Sequence, residues 1–437
     1  MTNRHVSATR TADGKVAARL VDLFPEGSFV DEENHLVVAG VRAAEMADRF
    51  GTPAYVYDET SLIQHAVQMR EALTSRWARS RVFFASKSFP CVAAYRTLAQ
   101  AGLGIDVAGG GELVAALAAG VSPQQILMHG NAKTSEELGM AVDAGVGTVV
   151  IDNFDDIDRL EQLVTDTQDV LIRVLPDVAA DTHEAMATGQ HGSKFGMVRP
   201  DVEVAIGRLR NSGRLNLRGL HMHIGSQIFD TAAYTAAVRA LAEFGEFDVY
   251  DLGGGLGVRY TFDDDPPSVE EWLDTLTAAA RQHLPADAEL FIEPGRSLVA
   301  RSGITLYRVV SVKHGDPTFV AVDGGMGDNL EVALYGQRFE ATIANRAGGG
   351  SAVELVGRHC ESGDRLSAGV ALREPRVGDV VAVPVTGAYC YTMANNYNGA
   401  KRPPVVFCRD GDARLVVRRE TYHDMMRRDQ PLDQEPK

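Results

Sequence analysis

The sequence predicts an α/β protein: a (β/α)8 TIM barrel joined to a second, β-rich C-terminal domain. Two observations carry this. Between about Phe50 and Arg301, short apolar runs alternate with amphipathic ones. After Arg301 the apolar runs lengthen and the helical patterns thin out.

The runs of the first part are AYVYD (from Ala54), VFFAS (from Val82), GIDVA (from Gly104), ILMHG (from Ile126) and TVVID (from Thr148). VLIRVLP (from Val170), LRGLHMHIG (from Leu217), VYDLGGG (from Val249) and LFIEPG (from Leu290) continue them. Most are short, continuous and rich in Val and Ile, as strands buried on both faces require. Helical patterns such as ELVAALAAG (from Glu112) and AAVRALAEFG (from Ala236) lie between them. That alternation implies a parallel sheet, and eight or so units in about 250 residues fit a closed barrel. ITLYRVVSVKHG (from Ile304), TFVAVDGG (from Thr318) and VVAVPVTGAYCY (from Val380) read as longer strands of the second domain. The expected organisation is a loose start over 1–24, a segment 25–50 packing with the β-domain, a barrel over 51–300 and a β-domain over 301–437.

The chain has 437 residues and a formal net charge of -16. This acidity argues against nucleic-acid binding and against docking on anionic lipid. The four cysteines, Cys91, Cys360, Cys390 and Cys408, form no CxxC pair and no secreted disulfide framework. The first residues lack the apolar stretch of a signal peptide, and no run is long enough to span a bilayer. A cytoplasmic setting is expected.

Chemistry-bearing residues cluster at the ends of the apolar runs. Lys87 follows a strand, at the end of the barrel where active sites lie. It is either a surface lysine or, if desolvated, a Schiff-base amine. His221 and His223 sit two residues apart and allow metal ligation, stacking on a cofactor, or plain packing. DLGGGLG (from Asp251) is either a tight turn or a backbone cradle that leaves N–H groups facing an anion. It lacks the GxGxxG spacing of a dinucleotide loop. In EPGRS (from Glu293), Glu293 suits a proton on a ring nitrogen and Arg296 a forked contact with carboxylate or phosphate; the bland reading is a surface turn. Cys360, in HCESGD, is a candidate acid or nucleophile, or a buried inert thiol. Tyr389 and Tyr391 offer hydroxyls or core packing.

Taken jointly and in this order, Lys87, HMHIGSQ, DLGGGLG, EPGRS, HCESGD and GAYCY resemble the fold-type III pyridoxal-phosphate decarboxylases. The diaminopimelate decarboxylase branch is favoured by DVAGGGEL (from Asp106), HGNAKT (from His129), THEAMATGQHGSKFG (from Thr182) and DGGMGDN (from Asp323). The resemblance implies pyridoxal 5'-phosphate as cofactor, held by Lys87. It implies phosphate-binding elements in Gly253, Gly254, Gly255, Pro294, Gly295 and Arg296, with hydroxyls from Ser226 and Tyr389. Asp106 joins the cofactor-binding set. Glu293 matches the carboxylate that pairs with the pyridine nitrogen, and His223 the imidazole stacked on the ring. Cys360 matches a proton donor supplied by the neighbouring subunit, so a homodimer with shared active sites is implied. The implied reaction is decarboxylation of meso-2,6-diaminopimelate to L-lysine and CO2, the last step of lysine biosynthesis.

Tyr389 joins the substrate-binding set, and the family's distal-carboxylate site is matched by Arg296, Tyr335 and Glu361. Its second arginine is replaced by Glu331, in DNLEVALYG from Asp328. Either Glu331 turns outward or meets a cation and diaminopimelate remains the substrate, or the substrate is a basic D-amino acid or a carrier-bound one. A racemase of similar fold would carry a tyrosine in place of the Cys360 motif. A non-catalytic cofactor-binding regulator would lack the second domain.

Overall fold

Eight parallel strands close into a barrel. They are β1 (Ser80–Ala85), β2 (Gly104–Val107), β3 (Ile126–Met128), β4 (Thr148–Ile151), β5 (Gln168–Arg173), β6 (Leu215–His221), β7 (Val249–Asp251) and β8 (Glu289–Ile292). Closure is made where Leu290, Phe291 and Ile292 of β8 register with Ser80, Arg81 and Val82 of β1. The computed structural model describes residues 21–178, 189 and 192–430. The expected loose start up to residue 20, and residues 182–188, 190 and 191 of the THEAMATGQHGSKFG signature, lie outside the described residues.

Phe83, Leu127, Val150, Leu171, Val249 and Phe291 fill the barrel interior. The Phe83 and Phe291 rings, from the two strands that close it, stand 5.0 Å apart. Burying each such side chain contributes roughly 1.5–3 kcal/mol, so the interior is a packed plug and not a pore. Helices between the strands end where the sequence directs. Ser135–Ala144 starts on a capping box of Thr134 and Glu137, and stops at Gly145 in a left-handed conformation.

Leu62–Ala300 forms one compact unit; the described residues up to Ser61 and from Arg301 onward form the other. The second is built on a nine-stranded sheet. Its long strand Gly303–Lys313 pairs antiparallel with Ala54–Asp58, Val380–Val383 and Phe319–Val322. Ala54–Asp58, expected in the barrel, is therefore a strand of the β-rich sheet, where it also runs parallel to Val405–Arg409. All five of its residues are buried, so its apolar pattern reads like a barrel strand, and only pairing distinguishes the two. The stretch 25–50 carries a small antiparallel sheet, Phe29–Val30, Leu36–Val38 and Val41–Arg42. It bonds to the same unit through Leu36 N–H to Ala344 O at 2.8 Å. Leu23 and Phe24, placed with the loose start, are buried instead, and Phe24 O accepts from Arg301 Nε at 3.3 Å. Among the described residues no helix is long and apolar enough to cross a membrane.

Candidate active site

The C-terminal ends of the barrel strands converge on a cavity of about 200 Å³. Lys87, Asp106, His129, Arg173, His221, His223 and Glu293 line it, with Phe195 and Glu112. Lys87 sits in the single helical turn Ser86–Ser88 that follows β1. Glu112 pins that turn: one carboxylate oxygen accepts from Ser86 Oγ and from Ala108 N, both at 2.7 Å.

Glu293, just beyond β8, is the centre of the floor. Its Oε1 lies 2.5 Å from His129 Nε2, and its Oε2 lies 3.2 Å from His221 Nε2. The two imidazole rings meet edge to face at 4.7 Å. Burial raises the Glu293 carboxyl, but the two imidazoles together outweigh it and hold the group well below the usual range. Burial drives His221 down to about 4. Burial, with Glu293 adding to it, pushes Asp106 up to about 7 against the pull of His129 and Lys87.

His223 lies past the end of β6. Its Nδ1 accepts the Gly254 N–H at 3.2 Å, which puts its proton on Nε2. Burial and the cationic Lys87 and Arg173 hold it well below its ordinary value, so it is a neutral ring. The glycine run is dictated by close approach. Gly253 has φ +67°, and a Cβ on Gly254 would fall 2.2 Å from Glu293 O. Two of the three N–H groups expected to face an anion are engaged within the protein. Gly253 donates to Asp251 Oδ1 at 2.9 Å, and Gly254 to His223. The cause is local: an aspartate two residues upstream closes an Asx turn over the run. The buried Arg296 donates from Nε to Ser226 Oγ at 3.4 Å and from its guanidinium to Tyr260 Oη.

Glu331, Tyr335, Cys360, Glu361 and Tyr389 belong to the β-rich unit and do not line this cavity. Cys360 is exposed, where a buried inert thiol was the alternative, and its N–H donates to Asn398 Oδ1 at 2.9 Å. Glu361 accepts from Tyr397 Oη at 2.5 Å. Tyr389 has φ +63° at the start of the short helix Cys390–Met393. Glu331 does not turn outward: it is 1% exposed, in the first turn of Leu330–Tyr335.

Sequence reasoning gave no role to Arg173, Tyr260 or Asp251, and saw His129 only as part of a motif. Arg173 and His129 carried the same signal as Lys87, a charged or polar residue at the end of an apolar run. Tyr260 carried none.

Residues 59–300 match the model of the pyridoxal-dependent decarboxylases, pyridoxal binding domain. The diaminopimelate decarboxylase of Bacillus subtilis is 43% identical over 92% of this chain and 97% of its own length. That of Actinosynnema pretiosum is 44% identical over 93% and 95%. The chain belongs to the diaminopimelate decarboxylase family. The solved diaminopimelate decarboxylase of M. jannaschii in complex with L-lysine is 29% identical, with a TM-score of 0.86 over 93% of this chain and 98% of that one.

Family membership makes this a pyridoxal-phosphate-dependent lyase, and the cavity fits the cofactor. It presents one lysine amine, a neutral imidazole, and a buried carboxylate held between two imidazoles, the donor set that the cofactor's aldehyde, ring face and ring nitrogen need. The same floor, His129, His221, Asp251 and Glu293, is by residue type a metal-ligand set with donor atoms within 4.8 Å of one another. Glu293 is closed onto both imidazoles.

Proposed function

We propose that this protein decarboxylates meso-2,6-diaminopimelate to L-lysine, the closing step of lysine biosynthesis, with pyridoxal 5'-phosphate held on Lys87. The observation that carries the reading is the convergence of Lys87, His223 and Glu293 on one cavity at the barrel mouth. The similarity to named diaminopimelate decarboxylases over nearly the whole chain supports the substrate.

When bound, the cofactor supplies the electron sink for the pair left behind by departing CO2. Glu293, ionised between two imidazoles, holds a proton on the pyridine nitrogen. His223 offers a neutral ring face, fixed by the glycine run. Arg296, Ser226, Gly255, Gly295 and Tyr389 would hold the phosphate. Holding the scissile carboxylate in line contributes several kcal/mol, on the scale of intramolecular reactions.

Cys360 returns a proton to the α-carbon across a homodimer with shared active sites. Support for this is its exposure, with Tyr397 and Leu334 of the same unit 40% and 51% exposed. The setting is cytoplasmic.

The test is CO2 release from meso-diaminopimelate by purified holoenzyme, with L-lysine formed in equal amount. Lys87→Ala loses the cofactor's visible absorbance and the activity together. A panel that includes D-lysine addresses the second reading, a substrate with a cationic far end. Glu331, an acid where the resemblance expects an arginine, is what motivates that reading.

A further inference from the structure

The β-rich unit holds a cavity of its own, of about 210 Å³, to which the reaction above gives no role. Loops flanking the strands line it, and Arg358, Lys401, Arg419, His359, Asp323 and Asp328 bring charge or polarity to its wall. Three of these are cations, and none of the three makes an ion pair among the described residues. Lys401 stands 4.7 Å from the centre of the Tyr422 ring, and the half-buried Arg419 gives one N–H to Pro53 O at 2.8 Å. Burial holds the Arg419 guanidinium below its ordinary value despite the attraction of Asp323 and Asp328. Both acids are already engaged within the fold. Asp323 accepts from Arg308 N at 2.8 Å and from Thr52 Oγ1 at 2.5 Å. Asp328 accepts from Tyr307 Oη at 2.5 Å and from Gly325 N at 3.0 Å. His359 adds a donor. Its Nε2 accepts the Gly327 N–H at 3.1 Å, which puts the ring proton on Nδ1, buried with no hydrogen-bond partner among the described residues.

We propose that this cavity is a binding site for inorganic phosphate, gripped by Arg358, Arg419 and Lys401. In a chain of net charge -16, three cations without counter-ions around one cavity make a cradle for an anion. Guanidinium forks match paired phosphate oxygens, and an ammonium adds a point charge. The volume lies below the roughly 300–1,000 Å³ of sites for drug-sized ligands, which suits a compact ion and not a nucleotide. The site also touches the loop that carries Cys360. Arg358 and His359 directly precede Cys360, whose N–H is held by Asn398 Oδ1 at 2.9 Å. Ala400 and Lys401, just after Asn398, line the same cavity. A phosphate bridging Arg358 and Lys401 ties together the two segments between which the Cys360 backbone is held.

The experiment is calorimetric titration with inorganic phosphate, paired with hydrogen exchange read by mass spectrometry. It uses holoenzyme whose cofactor has been fixed to the protein by borohydride, so that the cofactor's own phosphate stays in place. Phosphate should bind with a dissociation constant of about 1 mM or less. It should slow exchange of the amides of 357–361 and 398–402 by about threefold or more, against sodium chloride at equal ionic strength. Arg358→Gln and Lys401→Gln should each weaken binding by about tenfold or more, as loss of a charged hydrogen-bond donor does. Arg358 is exposed and Lys401 half-buried, and the exchange map of the native protein decides even where a variant fails to fold. Absence of binding, an equal effect of chloride, or protection confined to other segments overturns the proposal. So does phosphate binding that survives both glutamine substitutions. Succinate bound more tightly than phosphate would overturn the assignment of a tetrahedral anion.

Discussion

His129 Nε2 stands 2.5 Å from Glu293 Oε1, while His221 serves the other oxygen of the same carboxylate. A carboxylate held between two imidazoles stays ionised at a depth where burial alone would protonate it. This is the charge that a protonated ring nitrogen needs opposite it.

Glu293→Gln keeps the shape and removes that charge. We expect kcat to fall by about 10²–10⁴, the range for a positioned acid–base group, with KM changed far less. Steady-state CO2 release checks it.

Shared active sites make a prediction about hybrids. Lys87→Ala and Cys360→Ala enzymes are each inactive or nearly so. Mixed in equal amounts and allowed to exchange subunits, they should recover about a quarter of the native activity, because half the dimers are hybrids and each hybrid holds one intact site. No recovery in a mixture shown to exchange would mean that each chain builds its site alone.

The Asp106 carboxyl, raised from 3.8 to about 7, carries a sign. A group whose folded value lies above its unfolded one favours folding most at low pH, and that contribution is lost as pH rises through about 7. Asp106→Asn should therefore be more stable than the native protein at pH 8, by on the order of 1–3 kcal/mol, with the gain gone at pH 4. Thermal unfolding of cofactor-free protein at the two pH values measures it.

Glu331→Arg restores the charge expected by the resemblance to the family. If diaminopimelate is the natural substrate, the native enzyme already prefers it to D-lysine, and the variant changes that ratio by less than about tenfold. A native preference for D-lysine that Glu331→Arg reverses would establish the second reading.

The barrel was legible because its strands are buried on both faces and leave continuous apolar runs. The same property hid the true place of Ala54–Asp58, whose burial is as complete in the other sheet. Lys87 and Glu293 stood out as charged residues ending such runs. Arg173 and His129 end them too, but one residue at a strand end says nothing of what it faces. The engagement of the Gly253 and Gly254 amides could not be read, since it depends on side chains folding back over a turn. The outcome at Glu331, buried and not turned outward, depends on packing around a helix of six residues.

The long pairing of Tyr57 with Gly303 sets an order of events during synthesis. The segment Ala54–Asp58 leaves the ribosome early, yet its neighbours on both sides, Gly303–Leu306 and Val405–Cys408, arrive only after the whole intervening barrel. At 5–20 residues per second, a largely apolar β-segment waits on the order of 10–50 s for its first partner. During that interval it is an open edge in a crowded cell, so shielding by chaperones, more than the final fold's stability, should govern the yield of soluble enzyme.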